Sequence, residues 1–383
     1  MPNFKMIRVW SFLFVFTCVQ PLIGQDADYK MQGEYSGSVS ADGEELKFGM
    51  QVIALGDGSF TGVGYRGGLP GDGWDMSNPK RVENVKSVDG KLSLTAWDAT
   101  VEVVDGVATI VADGQTLGKL SKLERKSPTL GQKPPKGAVV LFDGSSVEGW
   151  EHKGKPANMT KDGLLKQGAQ SKKTFGDHKL HIEFLLPYMP KARGQGRGNS
   201  GLYLQGRYEV QMLDSFGLSG ENNECGGIYS IKKPDENMCF PPMQWQTYDV
   251  EFHAAKFKDG KKVEDAWMTV AHNGVVIHEK VKLPKKTTAA PNNESPEPGF
   301  IYLQNHGNEV RYRNIWVDKL NSEEGAESGA KSENKNINQD CTLELSRKQE
   351  SRQSNETYKA NIEMDMDYVL YLPADYEKKK IGH

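Results

Sequence analysis

Short segments in which apolar and polar residues alternate run along much of the chain. In residues 26–125 these segments are separated by Gly and Asp. Alternation with a period of two, bounded by turn-forming residues, is typical of antiparallel strands. The pattern therefore predicts a small all-β domain over 26–125, whose role the sequence does not indicate.

A second set of strands is predicted after a proline-rich stretch. Residues 126–137 contain three prolines and no apolar period, which predicts an extended linker. Alternation without a helical period then resumes at 139–142, 179–186, 201–205, 208–213, 246–253, 266–272, 299–304 and 310–317. This spacing is typical of a two-sheet sandwich. We therefore predict an all-β protein whose largest domain, 138–320, is a jelly-roll-like β-sandwich.

The N-terminus departs from this pattern. Lys5 and Arg8 precede an apolar run at 9–19, and Gly24 precedes a polar start. This order is typical of a secretory signal peptide, and the run is shorter than the ~20 residues of a membrane span. We expect a signal peptide at 1–24, an exported protein in the periplasm or outside a bacterial cell, and no membrane span in the mature chain.

The C-terminal residues predict a linker followed by a fragment of another fold. Residues 321–355 are polar and lack any period, which predicts a disordered linker. Within 356–383, the run Tyr-Val-Leu-Tyr-Leu-Pro at 368–373 resembles the first strand of α/β-hydrolase esterases. No Gly-x-Ser-x-Gly elbow follows, so esterase chemistry is excluded. We interpret 356–383 as a truncated strand of a hydrolase-like domain, in a shortened homologue or gene model.

Composition narrows the range of partners. The chain has 48 Lys and Arg against 51 Asp and Glu, a net charge of −3. Binding to a phosphate backbone depends on an excess of positive charge. Nucleic acid is therefore not expected as a partner.

Polar residues of the predicted sandwich strands mark a candidate ligand surface. Because alternate residues of a strand point to opposite faces, these polar residues face away from the apolar residues of the same strands. They are Glu183, Tyr203, Gln205, Glu209 and Gln211, with Asp214 just beyond a strand end. A tyrosine ring among amides and carboxylates suits a sugar, which offers apolar faces and hydroxyl groups. The solvent-facing side of any antiparallel sheet shows the same alternation. Parity alone leaves both interpretations open.

Two neighbouring features add candidate chemistry. Asn199 lies in the glycine-rich loop 194–201, and Gln304 and His306 follow another strand. Histidine near a carboxylate can act as an acid–base pair, although a single strand-end histidine is often structural. Glu209, Asp214 and His306 could together hold a divalent metal ion, but no metal-ligand spacing supports this.

At this point the sandwich resembles a known family. The matching motifs lie, in order, at 142–150, 198–205, 208–215, 226–229, 245–248, 272–274, 299–307 and 311–315. Over about 137–320 the chain resembles the 3-keto-disaccharide hydrolase domain, formerly domain of unknown function 1080. The resemblance implies a concanavalin-like β-sandwich that acts on carbohydrate, in a family mostly exported by glycan-degrading bacteria.

The resemblance also implies a reaction. A ketone at sugar C3 acidifies the C2 hydrogen, so a base can remove that proton and the C1 substituent can leave. Such an enzyme needs a base, an acid and donors for the enolate oxygen. The candidate acids and bases are Glu209, as the preferred base, with Glu183, Asp214 and His306. The candidate substrate contacts are Asn199, Tyr203, Gln205, Arg207, Gln211, Trp245, Gln304 and Arg311.

Two other functions remain open on the sequence. Conventional glycoside hydrolysis requires only two suitably spaced carboxylates. A lectin-like module would bind sugar on the same surface without turnover. Cleavage of 3-keto-glycosides, cleavage of unmodified glycosides, or binding alone would separate the three.

Overall fold

The computed structural model describes residues 27–320, except 42 and 97. The predicted signal peptide, the 321–355 linker and the 356–383 fragment lie outside the described residues. The regular secondary structure of the described part is almost entirely strand, which confirms the all-β prediction; it includes besides strands only the short helix α1 (Ala27–Met31) and a 3-10 turn at Gly194–Gly196. No helix in this part is long and apolar enough to cross a membrane.

The first strands form one antiparallel sheet, which we name the N-terminal domain. They are β1 (Gly33–Ala41), β2 (Glu44–Gly56), β3 (Ser59–Arg66), β4 (Lys80–Lys86), β5 (Leu92–Ala96), β6 (Ala99–Val104), β7 (Val107–Ala112) and β8 (Gln115–Leu123). Their order is β4-β3-β2-β1-β8-β7-β6-β5. The sheet curls around a core that includes Tyr35, Val52, Phe60 and Leu120.

Asp-Gly pairs make four tight turns in this domain, three of which connect neighbouring strands. Asp57, Asp89, Asp105 and Asp113 have φ between 47° and 54°, and the glycine that follows each also has positive φ. Two consecutive residues with positive φ match the twist of the flanking strands in a tight hairpin. The turn residues seen in the sequence therefore fix the strand connections.

The remaining strands build a two-sheet sandwich. They are β9 (Val139–Phe142), β10 (Trp150–His152), β11 (Lys155–Pro156), β12 (Leu165–Lys166), β13 (Gln170–Phe175), β14 (His178–Leu185), β15 (Ser200–Leu204), β16 (Tyr208–Met212), β17 (Trp245–His253), β18 (Lys256–Lys258), β19 (Lys261–Glu264), β20 (Ala266–His272), β21 (Val275–Leu283), β22 (Gly299–Leu303) and β23 (Arg311–Lys319). The front sheet has the order β11-β10-β13-β22-β15-β16. The back sheet has the order β12-β23-β14-β17-β20-β21, with β9 on β23; β18 and β19 form a separate hairpin.

The two sheets share one core. Leu202, Val210 and Ile301 of the front sheet and Ile182 and Val250 of the back sheet belong to the same buried cluster. Each such side chain contributes about 1.5–3 kcal/mol when it is removed from water. Because side chains alternate along a strand, the polar residues between these positions must face outward, on opposite sides of the sandwich.

The proline-rich segment 126–137 lies against the outer face of the back sheet. Ser127 Oγ is 2.6 Å from Thr247 Oγ1, and Thr129 Oγ1 donates to Asp249 Oδ2 at 2.7 Å. The segment contains no strand. The segment therefore forms no strand, but side-chain hydrogen bonds hold it against the sandwich.

Candidate functional site

Strand register places one residue from each of five front-sheet strands in a continuous line on the outer face. Glu151 pairs with Gln170, Gln170 with Tyr302, Tyr302 with Tyr203, and Tyr203 with Glu209. We name these five residues the front row. Neighbouring strands are about 4.8 Å apart, so the two carboxylates at its ends are roughly 19 Å apart.

One end of the front row is closed. Glu209 is 2% exposed and Tyr203 is 0% exposed. The Tyr203 hydroxyl donates to Glu209 Oε2 at 2.7 Å, and Gln304 Nε2 donates to the same hydroxyl at 3.1 Å. Gly201 makes room for the carboxyl, because a Cβ there would lie 2.1 Å from Glu209 Oε1. A carboxyl, a phenol and an amide thus form one hydrogen-bonded chain.

Burial controls the charge of Glu209. It raises the pKa of this carboxyl to about 8, although the Tyr203 hydrogen bond acts in the opposite direction. In the part of the chain that the structure describes, no Lys, Arg or His forms an ion pair with Glu209. The side chain is therefore mostly protonated at neutral pH. Carboxyls with raised pKa values are common at catalytic sites, where they can donate a proton.

A layer of amide side chains lies beside this chain. Gln195 connects two of them, because its Oε1 accepts from Gln211 Nε2 at 3.0 Å and its backbone oxygen accepts from Asn199 Nδ2 at 2.7 Å. Among the described residues, three buried side-chain oxygens here have no hydrogen-bond partner: Asn199 Oδ1, Gln211 Oε1 and Gln304 Oε1. Buried acceptors are normally paired. These atoms suit the hydroxyl donors of a bound sugar.

His306 lies at the edge of the amide layer. It is exposed and sits between Gln304 and Asn308 along the chain. Asn308 Oδ1 accepts a hydrogen bond from the Asn199 amide at 2.7 Å. The segment that carries His306 is thus attached to the site at both ends, and its imidazole is open to a ligand.

The sandwich is similar to a known family. Residues 137–318 match the family described as the 3-keto-alpha-glucoside-1,2-lyase-like domain. The sandwich belongs to this family. The match begins just before β9 and ends within β23, so the lyase-like domain includes the front row and the amide layer.

Two solved structures, both of candidate glycosyl hydrolases from Parabacteroides distasonis ATCC 8503, are also similar to the chain. The first, at 2.13 Å resolution, is 35% identical to this chain; the match covers 48% of this chain and 84% of that structure's chain, with a TM-score of 0.45. The second, at 1.70 Å resolution, is 19% identical; the match covers 49% of this chain and 95% of that structure's chain, with a TM-score of 0.37. No protein with a curated description matches the chain.

The lyase-like domain separates Glu183 from the other predicted site residues. Glu183 lies on β14 of the back sheet and faces away from the front row. Its carboxylate accepts from Arg313 Nε at 2.6 Å, Asn314 Nδ2 at 2.8 Å and the Gly131 amide at 2.6 Å. Burial opposes ionisation, but the surrounding donors outweigh it and lower the pKa of Glu183 to about 2. The expectation that Glu183 shares a surface with Glu209 is wrong.

Trp245 and Arg311 also lie away from the front row. Trp245 begins β17 of the back sheet, and its ring lies 4.0 Å below the Arg313 guanidinium. Arg311 is on β23, where it donates to Gln167 Oε1 at 3.1 Å and pairs with Glu309 at 2.9 Å. The Trp245 ring is occupied by this back-sheet contact, which corrects the prediction for Trp245, whereas substrate contact by Arg311 stays a prediction.

Asp214 is committed to a buried ion pair. Its Oδ2 lies 2.6 Å from Arg197 Nε, and both side chains are nearly inaccessible to solvent. Arg197 also donates to the backbone oxygen of Ala54 in the N-terminal domain at 3.2 Å. Asp214 therefore holds two domains together instead of joining Glu209, which corrects its predicted catalytic role.

Gln205 and Arg207 hold a covering segment in place. Gln205 has φ of 54°, so the chain turns there and leaves the strand. Its side chain donates to the Phe175 backbone oxygen at 2.9 Å and accepts from Arg207 at 2.7 Å. Arg207 also donates to Ser295 Oγ and to the Glu297 backbone oxygen. Both residues act on the site only through the segment 287–298, which corrects the prediction that they bind substrate.

That segment closes the site over the end of the front row. Thr287 Oγ1 accepts from the Glu209 amide at 3.0 Å, and the Thr288 backbone oxygen is 3.4 Å from the Tyr203 hydroxyl. From the other side, the Tyr229 amide donates to the Glu209 backbone oxygen at 3.1 Å. These contacts explain why Glu209 is buried on an outer face.

Glu209, Asp214 and His306, which on the sequence could have held a metal ion, do not form a ligand cluster. Asp214 is paired with Arg197, and His306 is exposed on a different segment. Across residues 27–320, apart from the two that are not described, no three His, Cys, Asp or Glu side chains are placed to bind a metal ion together.

Several site residues were not predicted. Tyr302 is two positions before Gln304 and shares its parity, so the alternation in 299–304 contained this signal. Gln195 lies in the same glycine-rich loop as Asn199. Glu151 lies in a three-residue strand whose alternation is too brief to be detected, and Gln170 is the first residue of β13.

Proposed function

We propose that this protein cleaves the glycosidic bond of 3-keto-glycosides by elimination. A base removes the C2 proton, and the electron pair forms the enolate of the C3 ketone. The enolate then expels the C1 oxygen substituent as the C1=C2 bond forms, and an acid protonates the departing oxygen. Water can add to that double bond to release the keto sugar. The proposal follows the family match and the chemistry of the front row.

One observation carries the assignment of roles: Glu209 is buried, lacks a cation and has a pKa of about 8. A protonated carboxyl cannot accept the C2 proton, so Glu209 suits the acid that protonates the leaving oxygen. This reverses the role expected from the sequence. The exposed imidazole of His306 is then the base, and the amides of Gln211 and Gln304 can bind the enolate oxygen or sugar hydroxyls.

Conventional hydrolysis by two carboxylates is less favoured. That mechanism needs a second carboxylate within roughly 5–10 Å of the first. The other carboxylate of the front row, Glu151, is roughly 19 Å from Glu209 by strand spacing. A lectin-like role would not require a carboxyl kept uncharged by burial, because sugar binding uses ordinary hydrogen bonds.

Turnover of a 3-keto-glucoside tests the proposal. Glu209→Gln keeps the shape but removes the transferable proton, and we expect kcat to fall by about 100-fold or more. Glu251→Gln makes the same chemical change on β17 of the back sheet and is the matched control, with turnover expected to stay within about twofold of the unmodified protein.

Circular dichroism of both variants checks that they are folded. Full turnover by folded Glu209→Gln would disprove the assignment. Efficient cleavage of unmodified glycosides would support the two-carboxylate mechanism, and binding without cleavage of either substrate would support a lectin. On the basis of the signal-peptide pattern at 1–24, we also propose that the protein is exported.

A further inference from the structure

Two cysteines lie together in the connection between β16 and β17. Cys225 and Cys239 are free and buried, and their thiols hydrogen-bond to each other. Both sulfurs also contact the backbone of Leu213, which directly follows β16; Cys239 Sγ is 3.6 Å from the Leu213 oxygen. The Tyr248 hydroxyl lies 3.3 Å from Cys225 Sγ. The two sulfurs therefore share one buried position in the sandwich.

Cys225 begins a segment that lines the edge of the front sheet beside Glu209. β16 is the last strand of that sheet, and residues 225–229, which we name the edge segment, hydrogen-bond to it. The Gly226 amide donates to the Gln211 backbone oxygen at 2.9 Å, and the Tyr229 amide donates to the Glu209 backbone oxygen at 3.1 Å. The edge segment therefore supports the strand that carries Glu209 and Gln211.

Cys239 lies on a separate stretch that is anchored to the sandwich. Its amide donates to Asn237 Oδ1 at 3.0 Å, and Asn237 Nδ2 donates to two backbone oxygens at 2.8 and 2.9 Å. The Phe240 amide donates to Gln246 Oε1 on β17 at 2.9 Å. No helix or strand lies between Cys225 and Cys239, a stretch that the structure describes in full. A bond between the sulfurs would tie the edge segment to an anchored point.

We propose that Cys225 and Cys239 are joined by a disulfide that holds the edge segment beside Glu209. The oxidant is a protein disulfide oxidoreductase of the compartment into which the chain is exported. One cysteine thiolate attacks a sulfur of the oxidant's disulfide and displaces the other sulfur; the second cysteine then attacks this mixed disulfide and releases the oxidant as a dithiol. The S–S bond of the protein forms as that of the oxidant breaks, so two electrons and two protons pass to the oxidant.

Compartment and burial set the stage at which the bond forms. Disulfides persist in the periplasm and outside the cell, whereas cytosolic thiols stay reduced. The inference therefore rests on the proposed export. Neither cysteine is accessible in the folded chain, so oxidation occurs while the chain folds, before the core closes.

Peptide mapping tests the bond directly. A leader of a bacterial host directs the chain to that host's periplasm, so the result does not depend on the role of residues 1–24. Free thiols are alkylated under denaturing conditions, and trypsin then cuts after Lys232, which puts the two cysteines on separate peptides. We expect these peptides to be linked, with neither cysteine alkylated, and to separate after reduction. Alkylation of both Cys225 and Cys239, or a disulfide of either with Cys341, would overturn the proposal.

Unfolding and hydrogen exchange test what the bond does. It would close a loop of 15 residues, 225–239, and we expect reduction to raise the unfolding equilibrium constant by about 100-fold. Exchange of the Gly226 and Tyr229 amides should become about 10-fold faster. Cys239→Ala should reproduce both changes and lose its response to the reductant, whereas Cys341→Ser, the matched control, should behave as the unmodified protein. Unchanged unfolding on reduction, or unchanged exchange in the edge segment, would contradict the holding role.

Discussion

Glu209 and Glu183 are the same amino acid, buried to the same degree in the same sandwich, and they differ in almost every other respect. Glu209 is 2% exposed and Glu183 is 1% exposed. The pKa of Glu209 is about 8 and that of Glu183 is about 2. Burial raises both, so the surrounding donors must account for the difference. A buried carboxyl with full hydrogen bonding is structural, whereas one without a cation keeps a proton available for chemistry.

The polar groups around Glu183 are paired with one another. His181 Nδ1 lies 2.6 Å from Asp249 Oδ1, and the imidazole stacks on Trp316. The segment 126–137 covers these residues and donates to Glu183 through Gly131. The polar groups named here pair with one another or attach that segment to the back sheet. The front sheet leaves several acceptors unused instead.

The pH dependence of stability should give the largest contrast. The folded-state pKa of Glu209, about 8, exceeds the ordinary 4.5. Its contribution to stability is therefore complete below about pH 4.5 and is lost as the pH rises through about 8. We expect the unfolding free energy of the unmodified protein, relative to Glu209→Gln, to fall by up to about 1.4 kcal/mol per pH unit between about pH 5 and pH 8. Denaturant unfolding of both proteins measures this, and a constant difference would contradict it.

Removing the hydrogen bond that Tyr203 donates to the Glu209 carboxyl should have the next largest effect. Tyr203→Phe should lower turnover of a 3-keto-glycoside by about 100-fold, because the phenol lies between the acid and Gln304. Since that bond lowers the pKa of Glu209, its loss should also shift the alkaline limb of the pH–rate profile to higher pH.

Tyr35→Phe is the matched control for this prediction. Tyr35 is a buried tyrosine of the N-terminal domain, and its hydroxyl donates to the Met31 backbone oxygen at 2.6 Å. It should keep turnover within about twofold. A similar loss in both variants would show that the effect is structural.

Glu183→Gln should have the smallest effect, and only on stability. It leaves Arg313 and other donors without their charged partner; because Arg313 is partly exposed, we expect the unfolding free energy to fall by about 2 kcal/mol. The pKa of Glu183 lies below 4.5, so this contribution is present above about pH 4.5 and is lost as the pH falls through about 2. Turnover should change by less than about twofold, and a large loss would restore Glu183 as a catalytic candidate.

Strand parity explains which parts of the site could be predicted. Alternation within 201–205 and 208–213 correctly grouped Tyr203, Glu209 and Gln211 on one face. The same rule assigned Glu183 an outward direction, and that was also correct. Parity does not state which sheet a strand joins, because pairing depends on contacts between distant segments. The error for Glu183 and Trp245 was therefore one of topology.

Turn geometry and charge pairing account for the other errors. Gln205 was expected to continue the strand, but its left-handed backbone conformation ends the alternation one residue earlier. Asp214 was predicted as a catalytic acid or base, but its ion-pair partner Arg197 is 17 positions away in the chain, and the local sequence pattern does not indicate that contact. The pKa of Glu209 could not be predicted, because it depends on the covering segment 287–298. The all-β class required only the local pattern, and so it was predictable.

The Arg197–Asp214 ion pair bears on how far the lyase-like domain can be treated as an independent module. The loop that carries Arg197 also carries Gln195 and Asn199 of the amide layer, and Arg193 of this loop donates to the Leu55 backbone oxygen in the N-terminal domain at 3.1 Å. One short loop therefore both binds the neighbouring domain and positions the amide side chains of the candidate site. Excising the sandwich at the family boundary would leave a buried charge pair facing water and release the loop that holds the amides. The smallest portion of this chain with an intact site accordingly begins well before residue 137.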